Sequence, residues 1–87
     1  MISIWKFNLQ TIDKQEVQMP VGAEILTVQI QNGESCLWAR IDTEQLTEAR
    51  QIAIHGTGHV LPDTTRKYIG TYQMANATLI FHVFESL

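Results

Sequence analysis

The amino-acid sequence predicts a mainly β fold, a small antiparallel sandwich or barrel-like sheet of six to seven strands with at most one short helix. Three observations carry this. Apolar and polar residues alternate with a period of two along most of the chain, the pattern of strands with one buried face. Two of the alternating runs are joined by Asn32-Gly33, a pair that suits a tight hairpin. Helix signals are confined to Thr43 to Ala49. With 87 residues, the chain makes a single domain, 1–87, around one modest core, because a domain this small buries only about 60–65% of the surface its unfolded chain exposes.

In residues 2–9, Trp5, Phe7 and Leu9 alternate with Ile4, Lys6 and Asn8, which predicts a first strand with the Trp5 side buried. Thr11 to Lys14 makes a turn, Glu16 to Met19 a short strand ending at Pro20, and Pro20 to Gly22 a second turn. From Ala23 to Gln31, Leu26, Val28 and Ile30 share one face, with Ile25, Thr27, Gln29 and Gln31 on the other. A type I′ turn needs positive φ at both central residues, which Asn tolerates and Gly adopts freely. The next strand runs from about Glu34 to Asp42. A two-residue turn sets Ile30 opposite Ser35, Val28 opposite Leu37, Leu26 opposite Ala39 and Glu24 near Ile41. The reverse face pairs Gln29 with Cys36, Thr27 with Trp38 and Ile25 with Arg40. Trp38 calls for a cover, either from this chain or from a second copy.

Thr43 to Ala49 is either one turn of helix, capped by Thr43, or a loop. Arg50 to His55 resumes the alternation with Ile52 and Ile54 on one face, and Gly56-Thr57-Gly58 marks a bulge or sharp bend. Leu61 to Thr65 is loop. Lys67 to Met74 is a strand in which Gly70 signals close backbone approach. Thr78 to Glu85 is a last strand, apolar on both faces, and is expected to be central in the fold.

Only 17% of residues are charged, which favours a homo-oligomer that hides apolar surface between copies. The net charge of −3 and six scattered Lys and Arg residues exclude a nucleic-acid partner, which requires a cationic stripe. The single Cys36 cannot close an intrachain disulfide and suits a reducing, cytoplasmic compartment. No signal-peptide pattern and no membrane-spanning apolar run is expected.

The segment richest in potential chemistry is His55-Gly56-Thr57-Gly58-His59, with His82 on the last strand. A zinc centre would need three or four converging ligands, and the only other soft donor is Cys36, so neither a metal nor a cofactor is expected and a metal-dependent enzyme is the remote alternative. His82 reads as a core or interface histidine with a bonded ring, and His59 as a brace for its own loop or a donor to a backbone carbonyl. The glycines either shape a bend or present amides to an anion, without the context of a P-loop or dinucleotide fingerprint. A small-ligand or nucleotide site would use Gly56, Thr57, Gly58 and His59 with Arg40, Arg66 or Tyr72 from neighbouring strands or subunits. Ser3, Ser35 and Ser86 occupy no nucleophile elbow, and Glu44 and Glu48 read as solvated surface, so the chain is read as non-catalytic. The mixed face of Trp38, Ile25 and Thr27 is the candidate interface.

Taken together, Ile4-Trp5-Lys6-Phe7, Met19-Pro20-Val21-Gly22-Ala23-Glu24-Ile25-Leu26, Leu37-Trp38-Ala39, Gly56-Thr57-Gly58-His59, Tyr68-Ile69-Gly70-Thr71-Tyr72-Gln73 and Phe81-His82-Val83-Phe84-Glu85 resemble a family of small phage and prophage proteins of uncharacterised function. The resemblance spans nearly the whole chain. It implies no activity, but it implies a setting: the cytoplasm of an infected or lysogenic bacterium, where such proteins bind host factors or sequester small signals. Inhibition of a host defence system, as by an anti-CRISPR protein or a nucleotide-signal sponge, is one such role. The expectation is therefore a non-catalytic protein that binds a protein partner or itself, the alternative being a small-ligand binder at the Gly56–His59 loop.

Overall fold

In the computed structural model, which describes residues 1–63 and 65–86, the alternating runs become seven strands: β1 (Ile2–Asn8), β2 (Lys14–Pro20), β3 (Glu24–Gln31), β4 (Glu34–Asp42), β5 (Thr47–Gly56), β6 (Thr65–Met74) and β7 (Leu79–Ser86). All pairings are antiparallel. They form a three-stranded sheet in the order β1-β4-β3 and a four-stranded sheet in the order β2-β5-β7-β6. The result is an open, sandwich-like stack and not a closed barrel. Its thinnest Cα dimension is 15 Å, which accommodates two sheets about 10 Å apart. Within the loop expected at Leu61 to Thr65, Thr64 lies outside the described residues and Thr65 already begins β6.

The core forms where alternate residues of both sheets point inward. Leu37, Ala39 and Ile41 of β4 meet Met19 of β2, Ile52 and Ile54 of β5 and Val83 of β7, each at most 3% exposed. The central place expected for the last strand is observed, with β7 between β5 and β6.

The Asn32-Gly33 turn has the positive φ values, 53° and 80°, that its type demands. From it the register runs as expected through Ile30–Ser35, Gln29–Cys36, Val28–Leu37 and Thr27–Trp38. It then shifts at Leu26, so that Ile25 faces Ala39 and Glu24 faces Arg40. One extra residue in one strand exchanges the faces of everything beyond it. This corrects two expectations. Ile25, placed opposite Arg40 on the Trp38 side, is instead 9% exposed in the core, and Leu26, expected inside, is 44% exposed.

Thr43 to Ala49 is not a helix, and none forms among the described residues. The Asp42 carboxylate accepts the Glu44 amide at 3.1 Å and the Asp42 carbonyl accepts the Gln45 amide at 3.2 Å. These bonds close a tight turn after which β5 starts at Thr47. The Glu44 amide also holds the Asp42 carboxyl below its ordinary pKa. Gly70 follows one of two irregularities in β6, the one at Ile69, where β6 passes β3. A Cβ there would lie 2.9 Å from Val28 Cγ1, so the close approach expected from sequence is an approach between sheets. Gly70→Ala is expected to destabilise the protein by about 1–3 kcal/mol through overpacking, with part of the loss recovered by adding Val28→Ala. Urea titration of the single and double variants checks this, and a neutral Gly70→Ala would mean that the sheets part freely at this point.

One polar link sits at the margin of the core. Arg50 of β5 holds the Glu85 carboxylate of β7 through Nε and, at 3.0 Å, through Nη2, while its Nη1 donates to the Ala23 carbonyl at 2.8 Å. Both side chains are less than one-fifth exposed. The bond to Glu85 raises the Arg50 pKa further above its already high ordinary value. The guanidinium thus fastens the four-stranded sheet to the turn that carries the chain from β2 into β3.

Candidate binding surfaces

Because β7 separates β5 from β6, the chain leaving β5 at Gly56 must pass β7 before it can enter β6. The connection folds back on the outer face of the four-stranded sheet, where Ala53 is paired with Phe84 and Phe84 with Tyr68, and His55 with His82 and His82 with Thr71. Between loop and sheet lies a cavity of about 260 Å³, whose walls include His55, Thr57, His59, Leu61, His82 and Phe84. Phe84 stands edge-on to Tyr68 with ring centroids 5.3 Å apart, and 6.2 Å from the His55 ring.

The polar groups here are unequally satisfied. His82 Nε2 shares a hydrogen bond with the Thr57 hydroxyl at 2.8 Å and its Nδ1 with the Thr71 hydroxyl at 3.3 Å, and Thr71 is bonded in turn to the Tyr68 hydroxyl. His59 Nδ1 accepts the Gly56 amide at 3.3 Å, and its ring lies where a Gly56 side chain would begin. His59 therefore braces its own loop. His55 is only 8% exposed, and its Nε2 is buried with no hydrogen-bond partner among the described residues.

This arrangement limits the chemistry. The Gly56 amide goes to His59, the Thr57 amide to the Ile80 carbonyl at 3.2 Å and the His59 amide to the Gly56 carbonyl at 3.1 Å. Those three amides are engaged within the chain and are not offered to an anion, and Gly56-Thr57-Gly58 is a turn with Gly58 at φ 90°, the sharp bend of the two expected alternatives. Thr57 and His82 have the spacing of a nucleophile and base. The group behind the imidazole is a threonine hydroxyl, though, which cannot neutralise an imidazolium as a carboxylate does. Among the described residues, no group of three or more His, Cys, Asp or Glu could hold a metal ion.

Of the residues read from sequence as a ligand site, Gly56, Thr57, Gly58 and His59 line this cavity. Arg40 and Tyr72 do not. Arg40 is on the outer face of the other sheet, between Ile4 and Glu24, and Tyr72 is 4% exposed in the core, its hydroxyl bonded to Thr11 at 2.7 Å and its ring 5.4 Å from Phe81. Sequence reasoning placed His55 at the start of the loop but missed Phe84, Thr71 and Tyr68 as its neighbours. The alternation put His82 and Phe84 on one face, but only the β5–β7–β6 register brings His55, Thr71 and Tyr68 beside them.

A second surface is the outer face of the three-stranded sheet. Trp38 lies at its centre, half-buried between Lys6 and Thr27, and no strand among the described residues lies over it. Lys6 Nζ donates to Gln31 Oε1 at 2.7 Å, reaching from β1 to β3 across β4, where Cys36 is sealed at 1% exposure. Around Trp38, Ile2, Ile4 and Leu26 are 53%, 61% and 44% exposed. Among the described residues the far edge of β1 pairs with no strand. Trp5 points to the inner side of β1, beside Ala39, yet is 43% exposed, because the sheets meet along β3 and β4. No helix among the described residues is long and apolar enough to cross a membrane.

No curated protein and no solved structure matches the chain. A family model described as a domain of unknown function matches residues 1–87, and the chain belongs to that uncharacterised family, DUF7352.

Proposed function

We propose that this protein acts by binding and not by catalysis, and that its docking element is β1 with the adjoining Trp38 face. One observation carries the reading: β1 is an unpaired edge that leaves Ile2, Ile4 and Trp5 exposed. A bare edge strand is a template for strand addition, and most natural proteins blunt such edges with charge, whereas β1 carries only Lys6. The first occupant in this reading is a second copy, joined β1 to β1 about a twofold axis into one six-stranded sheet. The phage setting implied by the sequence resemblance makes a host defence protein in the bacterial cytoplasm the other occupant of the same edge.

Light scattering across a concentration series tests the proposal. The expected result is a dimer at twice 9.9 kDa that Ile4→Lys converts to a folded monomer. A wild-type protein that stays monomeric at all concentrations, and that captures no host protein which Ile4→Lys releases, would overturn it.

A further inference from the structure

We infer that the cavity under the Gly56–Leu61 loop is a binding site for a small, uncharged, planar heteroaromatic ring of nucleobase type. Three observations converge on that class. The first is the unmet polar atom: His55 lines the cavity, is more than nine-tenths buried, and its Nε2 has no hydrogen-bond partner among the described residues. Buried polar atoms are nearly always paired, and an unpaired one is an unfavourable feature; Nε2 is sealed behind the cavity wall, so a ligand atom relieves it once the imidazole turns toward the cavity. An imidazole nitrogen donates in one neutral tautomer and accepts in the other, so Nε2, unpaired among the described residues, suits either an acceptor or a donor. The edge of a nucleobase offers both.

The second observation is the shape and character of the walls. Phe84 and the imidazoles of His55, His59 and His82 supply flat faces and Leu61 an apolar side, the composition on which heteroaromatic rings stack. At about 260 Å³ the cavity falls just below the usual range of about 300–1,000 Å³ for drug-sized ligands, which suits a one- or two-ring molecule. The third is the scarcity of anion-binding groups. Among the described residues no Lys or Arg lines the cavity, and the amides of Gly56, Thr57 and His59 are engaged within the chain. The site recognises a ring and ignores a phosphate, which separates it from the phosphate-cradling role that the glycines suggest in the sequence. His82, held on both nitrogens by threonine hydroxyls, is a positioning residue that keeps its ring upright as one wall.

The inference is independent of the β1 edge, and its test is run on the Ile4→Lys variant as well as on the wild-type protein. Amide and histidine-ring NMR spectra are recorded while free adenine, adenosine, guanosine, uridine, AMP and inorganic phosphate are titrated separately. The expected result is saturable shifts confined to residues 55–61 and to His82 and Phe84 with at least one base or nucleoside. AMP should bind no more than about twofold tighter than adenosine, and phosphate should shift nothing. His55→Phe, which keeps a flat ring and removes the nitrogen, should weaken binding at least tenfold, while Arg40→Ala leaves it unchanged. Should His55→Phe fail to fold, Leu61→Ser in the exposed loop provides the same reading by opening the cavity. Saturation by phosphate alone, absence of saturable shifts with every base and nucleoside, or unaltered affinity in both cavity variants would each overturn the inference.

Discussion

Leu37→Ala is expected to destabilise the protein by about 3–4 kcal/mol, within the range of about 2.7–5.0 kcal/mol measured when a buried leucine is truncated in a well-packed core. Leu37 has no exposed surface and lies mid-strand in β4, with Phe7 and Val28 as its cross-strand neighbours and the four-stranded sheet before it. Both flanking strands are pinned by pairing to β4, so neither can readily collapse into the space left behind. A domain of this length has a total stability of only about 4–13 kcal/mol, so the variant loses a large share of it. Leu26→Ala is the informative comparison. A two-residue hairpin extended without interruption would bury Leu26 opposite Ala39, whereas the irregularity leaves it 44% exposed, and its truncation should cost less than about 1 kcal/mol. Urea denaturation of the two variants decides the matter, and equal losses would place Leu26 in the core after all.

The second large effect concerns Arg50. Arg50→Met is expected to destabilise by about 2–4 kcal/mol, because Glu85 is left mostly buried and unpaired and the Ala23 carbonyl loses its donor. The double variant Arg50→Met, Glu85→Leu should recover most of that loss, since the chief penalty is the stranded charge and not the absence of the pair. A thermodynamic cycle by chemical denaturation measures both. If the double variant falls as far as the sum of the singles, the pair has no coupling and the link to the β2–β3 turn is a surface ornament.

Local chemistry made much of this fold legible. The left-handed Asn32-Gly33 pair dictated a turn and, through it, the register of five residue pairs. The glycine at position 70 announced a contact although not its partner, since Val28 is more than forty residues away in sequence and nothing local couples them. Leu26 was illegible for a different reason. A strand of strict alternation does not reveal where it takes an extra residue, and the β2–β3 turn that re-aims this end of β3 is fastened by Arg50 from another sheet. The ligand loop followed the same division: His55 to His59 stood out, but Phe84 becomes a neighbour only because β7 inserts between β5 and β6. Helix propensity at Glu44 to Ala49 lost to the short polar side chain of Asp42, which tied the turn before a helix could nucleate.

The distribution of chromophores between the sheets has a practical corollary. Both tryptophans, Trp5 and Trp38, belong to the three-stranded sheet, and both tyrosines, Tyr68 and Tyr72, to β6 of the four-stranded sheet. Indole emission and phenol difference absorbance therefore watch different halves of the sandwich without any label. Superimposed melting profiles would mark the two sheets as one cooperative unit. Separated profiles would identify, by colour, which layer lets go first.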